Sequence, residues 1–286
     1  MASRARGAAA SEETLSSKDG VTIFVRSWEP APAPRAVVVI CHGLNAHSGL
    51  YAWAAAQLAA AGFAVFALDL RGRGRSEGER FLVRDIADYV ADVHTTVMAA
   101  KSRHPGLPVF LLGHSAGGVT ACVYALDHGS ELAGLISESF AFRVPAPMIV
   151  LTVMKSVSGL IPRAKVLRLK SRDFSRDPQV VAALDADPLI ANEAQPAATI
   201  AALVRANDRL LAELGRITLP VLILHGTADK VTLPAGSQLF FDRAGSSDKQ
   251  LKLYDGHVHD LLADYGKEGV IADIIGWIDQ RVPAAA

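Results

Sequence analysis

The sequence predicts an α/β fold, in which helices flank a mostly parallel central sheet and a helical segment interrupts the alternation. Apolar, strand-forming runs occur at residues 36–41, 64–70, 109–112, 132–137 and 219–224. Continuous β-branched runs such as 36–41 are typical of strands that are buried on both faces of a parallel sheet. Helical patterns at residues 51–61, 81–103 and 117–128 separate the first four runs, which indicates right-handed crossovers between neighbouring strands.

The remaining elements place the ends of the domain and the interruption. Residues 1–12 are expected to form a disordered tail, and a strand at 21–28 follows the turn Lys18-Asp19-Gly20. Residues 140–214 show helical patterns without a strong strand, so we expect an inserted helical cap there, with residues 13–139 and 215–286 forming the core. A helix near 235–243, a strand at 250–254 and a helix at 267–281 close the chain.

Composition limits the possible partners. The 286 residues are 50% hydrophobic, and 29 Lys+Arg balance 29 Asp+Glu, so no net field attracts nucleic acid or an anionic membrane. The two cysteines fit ordinary core usage in a reducing compartment. There is no apolar signal-peptide region, and no apolar run approaches the ~20 residues that span a bilayer. We therefore expect a cytoplasmic protein with at most peripheral membrane contact.

The residues Gly113-His114-Ser115-Ala116-Gly117 form the strongest chemical motif. They follow an apolar strand and precede a helix, which is the context of a nucleophile elbow, where a tight turn exposes a serine hydroxyl. The two flanking glycines leave room for close backbone approach. Ser115 is therefore predicted to be a nucleophile.

A serine hydroxyl needs a histidine base, and the base needs an acid that orients it. Asp229 follows the strand that ends at Leu224, and both His257 and His259 follow the strand that ends at Tyr254. We predict Asp229 as the acid, with Glu138 and Asp255 as weaker alternatives. The residues leave the base open between the two histidines.

An anionic tetrahedral intermediate also needs hydrogen-bond donors. The backbone N–H of Ala116 is one candidate, and that of Leu44, in the loop after the strand ending at Cys41, is the second.

The sequence does not indicate a metal or cofactor site. No HExxH, CxxC or comparable cluster is present, and no cofactor is implied. Arg71, Arg73, Arg75 and Arg80 form a basic cluster, but interspersed glutamates argue against nucleic-acid binding.

Taken together, these motifs resemble the monoacylglycerol lipase, or lysophospholipase-like, branch of the α/β-hydrolase superfamily. The match covers nearly the whole chain after the tail, and it depends on His42-Gly43-Leu44, Asp69-Leu70-Arg71-Gly72-Arg73-Gly74-Arg75-Ser76, the elbow, Asp187-Pro188-Leu189, His225-Gly226-Thr227-Ala228-Asp229 and His257-Val258-His259. The resemblance implies Ser115, Asp229 and His259 as the triad, and Leu44 with Ala116 as oxyanion donors. Ala116 stands where the family usually has Met.

These observations predict a serine hydrolase that cleaves carboxylic esters of medium or long acyl chains through an acyl-enzyme, with monoacylglycerols as the leading substrates. The alternatives are a broad small-ester carboxylesterase and a non-catalytic ligand receptor on the same fold. Residues 144–161 are apolar around most of a helical circumference, which a surface helix with one core-facing stripe would not be. Either this segment is simply buried, or its second face lines an acyl tunnel or touches lipid, and we expect the latter. The predicted lining residues are Met148, Val150, Leu151 and Met154.

Overall fold

The computed structural model describes residues 10–145, 152, 155–156 and 158–282. Its strands are β1 (Ser11–Ser16), β2 (Thr22–Trp28), β3 (Ala36–Cys41), β4 (Phe63–Leu68), β5 (Val109–His114), β6 (Gly134–Glu138), β7 (Lys165–Leu167), β8 (Gln195–Pro196), β9 (Val221–Gly226) and β10 (Lys249–Tyr254). The α-helices of the described residues are α1 (Ala52–Ala60), α2 (Ile86–Arg103), α3 (Ala116–His128), α4 (Pro178–Ala186), α5 (Ala197–Glu213), α6 (Pro234–Arg243) and α7 (Lys267–Asp279).

Eight strands form one sheet in the order β1-β2-β4-β3-β5-β6-β9-β10. The pairs from β4 through β10 are parallel, whereas β1 and β2 join the edge in antiparallel pairs. The predicted fold class is confirmed. The parallel part starts at β3, with β4 on one side of it and β5, β6, β9 and β10 on the other. Because these strands are parallel, the carboxyl ends of β3, β5, β6 and β9 lie at the same end of the sheet.

Burial on both faces explains why the central strands are continuously apolar. Along β3, Val37 and Val39 face a core shared with α2 and α3, and Val38 and Ile40 face a second core shared with α1 and α7. All four side chains are almost fully buried. A strand with no solvent face has no position at which a polar residue is favoured.

The expected tail, residues 1–12, is wrong at its last two positions. Ser11 and Glu12 belong to β1, where their backbones pair with Ser27 and Arg26 of β2. This strand lies at the sheet edge and is polar and half-exposed, so it lacks the hydrophobic alternation that reveals a strand in a sequence.

The segment between β6 and β9 departs from the central α/β alternation. It carries α4 and α5, but also the two-stranded antiparallel sheet β7–β8, which the sequence pattern does not predict. Strands of two or three residues are too short for a period-of-two pattern to be recognised. Within the described part of the chain, no helix is long and apolar enough to cross a membrane.

Candidate active site

Ser115 lies on the turn between β5 and α3, with φ 56° and ψ −117°. This backbone conformation is strained for a residue with a side chain, and such strain is concentrated at functional sites. A Cβ atom on Gly117 would lie 2.2 Å from the carbonyl oxygen of Cys41, and one on Gly113 would lie 2.5 Å from the carbonyl oxygen of Gly117. Only glycine therefore permits this turn at either position.

The structure brings the three predicted triad residues together in one chain of hydrogen bonds. Nε2 of His259 lies 2.9 Å from Oγ of Ser115, and Nδ1 of His259 lies 2.8 Å from Oδ2 of Asp229. Asp229 and Ser115 are each 6% exposed, and His259 is fully buried. With its proton on Nδ1, the neutral imidazole donates to Asp229 and accepts from the serine hydroxyl, so it can remove the hydroxyl proton.

Asp229 is held as an anion. Burial opposes its ionisation, but hydrogen bonds from His225 and His259, with the N–H of Thr232, hold the pKa of the carboxyl well below its usual range. Val231 and Thr232 donate backbone N–H groups to Oδ1 at 2.8 and 3.0 Å, and the Thr232 hydroxyl donates to Oδ2 at 2.7 Å. The loop after β9 thus turns tightly around the carboxylate and fixes its orientation.

His225 is a site residue whose role the sequence interpretation missed. Its Nε2 lies 3.1 Å from Oδ2 of Asp229, and its Nδ1 lies 2.7 Å from the hydroxyl of Ser237. A single tautomer satisfies both contacts, with Nε2–H donating to Asp229 and Nδ1 accepting from Ser237. The spacing of four residues between His225 and Asp229 does not by itself predict this contact, because the contact forms only when the loop after β9 folds back on the end of the strand.

The ring of His259 is held between two other rings. The centroid of His114 lies 4.9 Å from that of His259, and Phe174 meets the ring edge-on at 5.1 Å. Burial, with the nearby His259, lowers the pKa of His114 well below its usual value, so this neighbour is neutral. Nδ1 of His114 lies 2.9 Å from the hydroxyl of Tyr51. The ring contacts with His114 and Phe174 restrict rotation of the His259 ring.

The alternative acids and the alternative base make other contacts. Oε1 of Glu138 accepts the backbone N–H of Leu261 at 2.7 Å, and Asp255 accepts the hydroxyl of Thr227 in an exposed turn. The ring of His257 packs on Tyr254, and a Cβ on Gly266 would lie 2.9 Å from it. The hydrogen bonds to Asp229 and Ser115 are made by His259.

The loop with the predicted oxyanion donor Leu44 passes directly over the elbow. A Cβ atom on Gly43 would lie 2.9 Å from Cβ of Ser115 and 3.6 Å from the nitrogen of Ala116, the other predicted donor. The N–H groups in the first turn of a helix, such as that of Ala116 in α3, have no intrahelical acceptor. Both predicted donors therefore belong to backbone that borders Ser115.

His42 fixes the orientation of this loop. Its Nε2 accepts the N–H of Leu70 at 3.0 Å, so the proton is on Nδ1, which donates to the carbonyl of Gly43 at 2.7 Å. That carbonyl and the N–H of Leu44 belong to one trans peptide and point in opposite directions. Burial lowers the pKa of His42 to about 4, so the ring stays neutral at pH 7.

The predicted tunnel residues Met148, Val150, Leu151 and Met154 lie outside the described residues. Two groups of three possible metal ligands occur in the described part of the chain, although no sequence motif reveals them. One is His94, His128 and Glu131, which is half-exposed, and the other is His114, Glu138 and Asp260, next to His259. The proton transfers available to Ser115 and His259 require neither group.

A mostly parallel sheet, a serine on a strained strand-to-helix turn, and an acid and a histidine after later strands together define an α/β-hydrolase. The family described as serine aminopeptidase, S33, matches residues 32–266, and the chain belongs to this family. This assignment confirms the fold that the motifs indicated.

Similarity to known proteins identifies the branch of the α/β-hydrolases that the chain resembles in sequence and fold. The chain is 36% identical over 271 residues to a monoacylglycerol lipase of Mycolicibacterium smegmatis, covering 94% of this chain and 96% of the relative. It is 34% identical over 276 residues to the human monoglyceride lipase, covering 95% and 91%. The crystal structure of a Paleococcus ferrophilus monoacylglycerol lipase has a TM-score of 0.80 at 28% identity, covering 91% of this chain and 99% of that one. The resemblance to the monoacylglycerol lipase branch is confirmed.

Proposed function

We propose that the protein is a monoacylglycerol lipase, a carboxylic ester hydrolase in which Ser115 is the nucleophile, His259 the base and Asp229 the acid. The observation that carries the proposal is the chain of contacts from Ser115 Oγ through His259 to Asp229, at 2.9 and 2.8 Å. The similarity to monoacylglycerol and monoglyceride lipases over more than nine-tenths of the chain supports the substrate class.

In the acylation step, His259 Nε2 takes the proton of the Ser115 hydroxyl while Oγ attacks the ester carbonyl carbon. The resulting tetrahedral oxyanion accepts hydrogen bonds from the N–H groups of Leu44 and Ala116. Asp229 stabilises the imidazolium that forms. Collapse of the intermediate breaks the bond to the alcohol oxygen, and the imidazolium returns its proton to that oxygen, which releases glycerol and leaves an acyl-serine.

Deacylation repeats the step with water as the nucleophile. His259 removes a proton from water, the hydroxide oxygen attacks the acyl carbon, and the same two donors hold the second oxyanion. Collapse returns the proton to Ser115 Oγ and releases the fatty acid. Ionised Asp229 is required in both halves, which is the state that its hydrogen bonds favour.

Residues 140–214 act as a cap over this site. Two contacts between this segment and the catalytic loops support the assignment. Phe174 packs edge-on against His259, and its carbonyl accepts the N–H of Asp260 at 2.9 Å. His47, near the oxyanion loop, lies 2.8 Å from the carboxylate of Asp187. We keep the sequence prediction that Met148, Val150, Leu151 and Met154 line the acyl-chain path.

The cap also contacts the membrane that holds the substrate. Its exposed apolar side chains include Leu160 at 85% exposure, Ile161, Val166 and Leu167. Exposed basic side chains lie among and beside them at Lys165, Arg168, Lys170 and Arg172, whereas Arg163 is paired with Glu79. Apolar residues that enter the interface and cations that attract anionic headgroups together produce reversible peripheral binding.

The test combines a nucleophile variant with a substrate panel. Wild type is expected to react with a fluorophosphonate probe and to cleave long-chain monoacylglycerols, and Ser115→Ala is expected to lose both, with turnover reduced by several orders of magnitude. Cleavage of p-nitrophenyl acetate in preference to medium and long acyl chains would favour the small-ester carboxylesterase. Binding of monoacylglycerol without turnover or probe reaction would favour the non-catalytic receptor.

Membrane contact is tested with sedimented vesicles of phosphatidylcholine and phosphatidylglycerol. Leu160→Ser combined with Ile161→Ser is expected to reduce binding, and the matched change Leu253→Ser, at an exposed leucine on β10, is expected to leave it unchanged. Equal binding by all three proteins would contradict the contact without affecting the proposed chemistry.

A further inference from the structure

A buried polar cluster joins the segment between β6 and β9 to the loop that carries Leu44. Its centre is the ion pair of Arg73 and Glu193, whose side chains are 1% and 0% exposed. The guanidinium of Arg73 also donates to the hydroxyl of Tyr89 at 3.0 Å and to Oε1 of Gln195 at 2.9 Å. Charged groups are rarely buried this deeply unless they are paired, so the position of Glu193 is closely determined.

Glu193 uses this fixed position to hold the loop. Its Oε1 accepts the backbone N–H of Asn45 at 2.9 Å, and the side-chain amide of Gln195 donates to Oδ1 of Asn45 at 3.2 Å. Asn45 has φ 52°, in the left-handed region that asparagine tolerates better than most residues. The cluster thus fixes both the backbone and the side chain of the residue that directly follows Leu44.

Leu44 is therefore restrained from both sides. The peptide that precedes it is held by His42, which donates to the carbonyl of Gly43, and the peptide that follows it is held by Glu193. The two restraints come from different parts of the chain, since His42 follows β3 in the sheet whereas Glu193 lies in the proposed cap. A donor contributes to transition-state stabilisation only when its direction is set in advance.

We infer that Glu193 is a positioning residue, which acts through Asn45 to direct the N–H of Leu44 toward the oxyanion. The inference rests on the proposed function, because it takes Leu44 as an oxyanion donor. It adds that part of the oxyanion site is supplied by the cap, and that Arg73 serves it by pairing with the Glu193 carboxylate and holding it in place. Displacement of the 192–195 segment would weaken transition-state binding while leaving the contacts among Ser115, His259 and Asp229 intact.

The test measures the second-order rate of Ser115 labelling by a fluorophosphonate, and kcat and KM for p-nitrophenyl butyrate. Glu193→Ala is expected to lower the labelling rate and kcat at least about tenfold, with KM changed less than about twofold, because oxyanion donors act in the transition state. Glu193→Gln keeps an acceptor for Asn45 and is expected to recover most of the labelling rate. Gln195→Leu leaves the ion pair with Arg73 intact and is expected to lose several-fold, which provides a reading if Glu193→Ala folds poorly.

Asp92→Ala is the matched control, because it breaks a second buried ion pair, with Arg71, that does not touch the oxyanion loop. It is expected to lower the melting temperature without lowering the labelling rate. A labelling rate for Glu193→Ala within about twofold of wild type, or an equal loss in Asp92→Ala, would overturn the inference. Wild type that labels at Ser115 but cleaves no monoacylglycerol would contradict the proposed function alone, since the labelling comparison uses no lipid.

Discussion

Nε2 of His225 lies 3.1 Å from Oδ2 of Asp229, the same carboxylate oxygen that Nδ1 of His259 approaches to 2.8 Å. One carboxylate therefore orients two histidines, of which one faces Ser115 and the other faces Ser237 at the start of α6. His225 helps to keep Asp229 ionised and to fix the plane of its carboxylate. It contributes to the site without contacting the nucleophile.

This arrangement predicts that kcat depends on the hydrogen-bond donor that residue 225 offers to Asp229, rather than on the imidazole ring itself. His225→Gln can still donate to Asp229 and is expected to keep kcat within several-fold of wild type. His225→Leu fills similar space without a donor and is expected to lose about a further tenfold, since a buried carboxylate loses a hydrogen bond. Steady-state kinetics on a soluble ester measure the ratio. Equal losses in the two variants would show that His225 only fills space.

Position 259 is expected to be far more sensitive than position 257. His259→Ala removes the group 2.9 Å from Ser115 Oγ and is expected to reduce turnover by several orders of magnitude. His257→Ala removes a ring that packs on Tyr254 beside Gly266, and kcat is expected to fall no more than about threefold. Circular dichroism of both variants controls for folding. The opposite ranking would transfer the base to His257.

Much of this site could be predicted because its signals are local. The elbow occupies five consecutive residues, Asp229 follows the apolar run that reveals β9, and His259 follows the short strand that the sequence predicts at 250–254. The roles of His225, Arg73 and Glu193 could not be predicted in this way. Arg73 and Glu193 are 120 positions apart and become partners only when the segment after β6 folds back over the sheet. In sequence, each resembles an ordinary exposed charge.

The fold shows the same division between local and distant signals. Continuous burial makes β3 and β5 obvious, whereas β1 is a polar edge strand stabilised by pairing with β2 and by the contact of Glu12 with Arg75. The start of α2 at Ile86 rather than near residue 81 depends on Asp85, whose side chain accepts the N–H of Ala87. A capping residue fixes a boundary that hydrophobic periodicity leaves uncertain by several positions.

Gly43 is predicted to be indispensable because of a close approach. A Cβ at this position would lie 2.9 Å from Cβ of Ser115 and 3.0 Å from the carbonyl oxygen of His114, so the oxyanion loop must move away from the elbow. Gly43→Ala is expected to lower kcat by about a hundredfold or more, comparable to the loss of an oxyanion donor. The matched change Gly276→Ala, in α7 with no atom near the added methyl group, is expected to leave kcat unchanged. Wild-type kcat in Gly43→Ala would contradict the role of this loop.

His42 is predicted to make stability depend on pH. Burial lowers its pKa from 6.5 to about 4 in the folded protein, so between these values the unfolded chain binds a proton that the folded chain does not. Its contribution to the free energy of unfolding is therefore complete above pH 6.5 and is lost as the pH falls toward 4, by up to about 3 kcal/mol.

Urea unfolding from pH 7 to pH 4.5 tests this expectation. In His42→Gln the free energy of unfolding is expected to fall less steeply with decreasing pH than in wild type. The difference between the two slopes corresponds to the uptake of at most one proton on unfolding. His114, whose pKa is also lowered by burial, is present in both proteins and cancels in the comparison. Identical slopes would mean that His42 titrates normally in the folded state.

Glu138 is predicted to be a neutral hydrogen-bond acceptor that holds the loop after β10, which carries His259, rather than the acid of the triad. Burial, reinforced by the nearby charge of Asp260, raises its pKa well above 4.5, while its Oε1 accepts the N–H of Leu261. A raised folded-state pKa stabilises the protein below the unfolded pKa, and this contribution is lost as the pH rises through the folded value.

The variant Glu138→Gln keeps an acceptor for Leu261 but does not titrate. It is therefore expected to gain stability relative to wild type between about pH 5 and pH 8, where the carboxyl of the unfolded wild-type chain is ionised. Its kcat/KM is expected to stay within about threefold of wild type. Glu138→Leu leaves the N–H of Leu261 unpaired and is expected to cost about 1–3 kcal/mol of stability. Urea unfolding and ester kinetics on both variants, beside Asp229→Asn, make the comparison. Loss of activity in Glu138→Gln with full activity in Asp229→Asn would make Glu138 the acid.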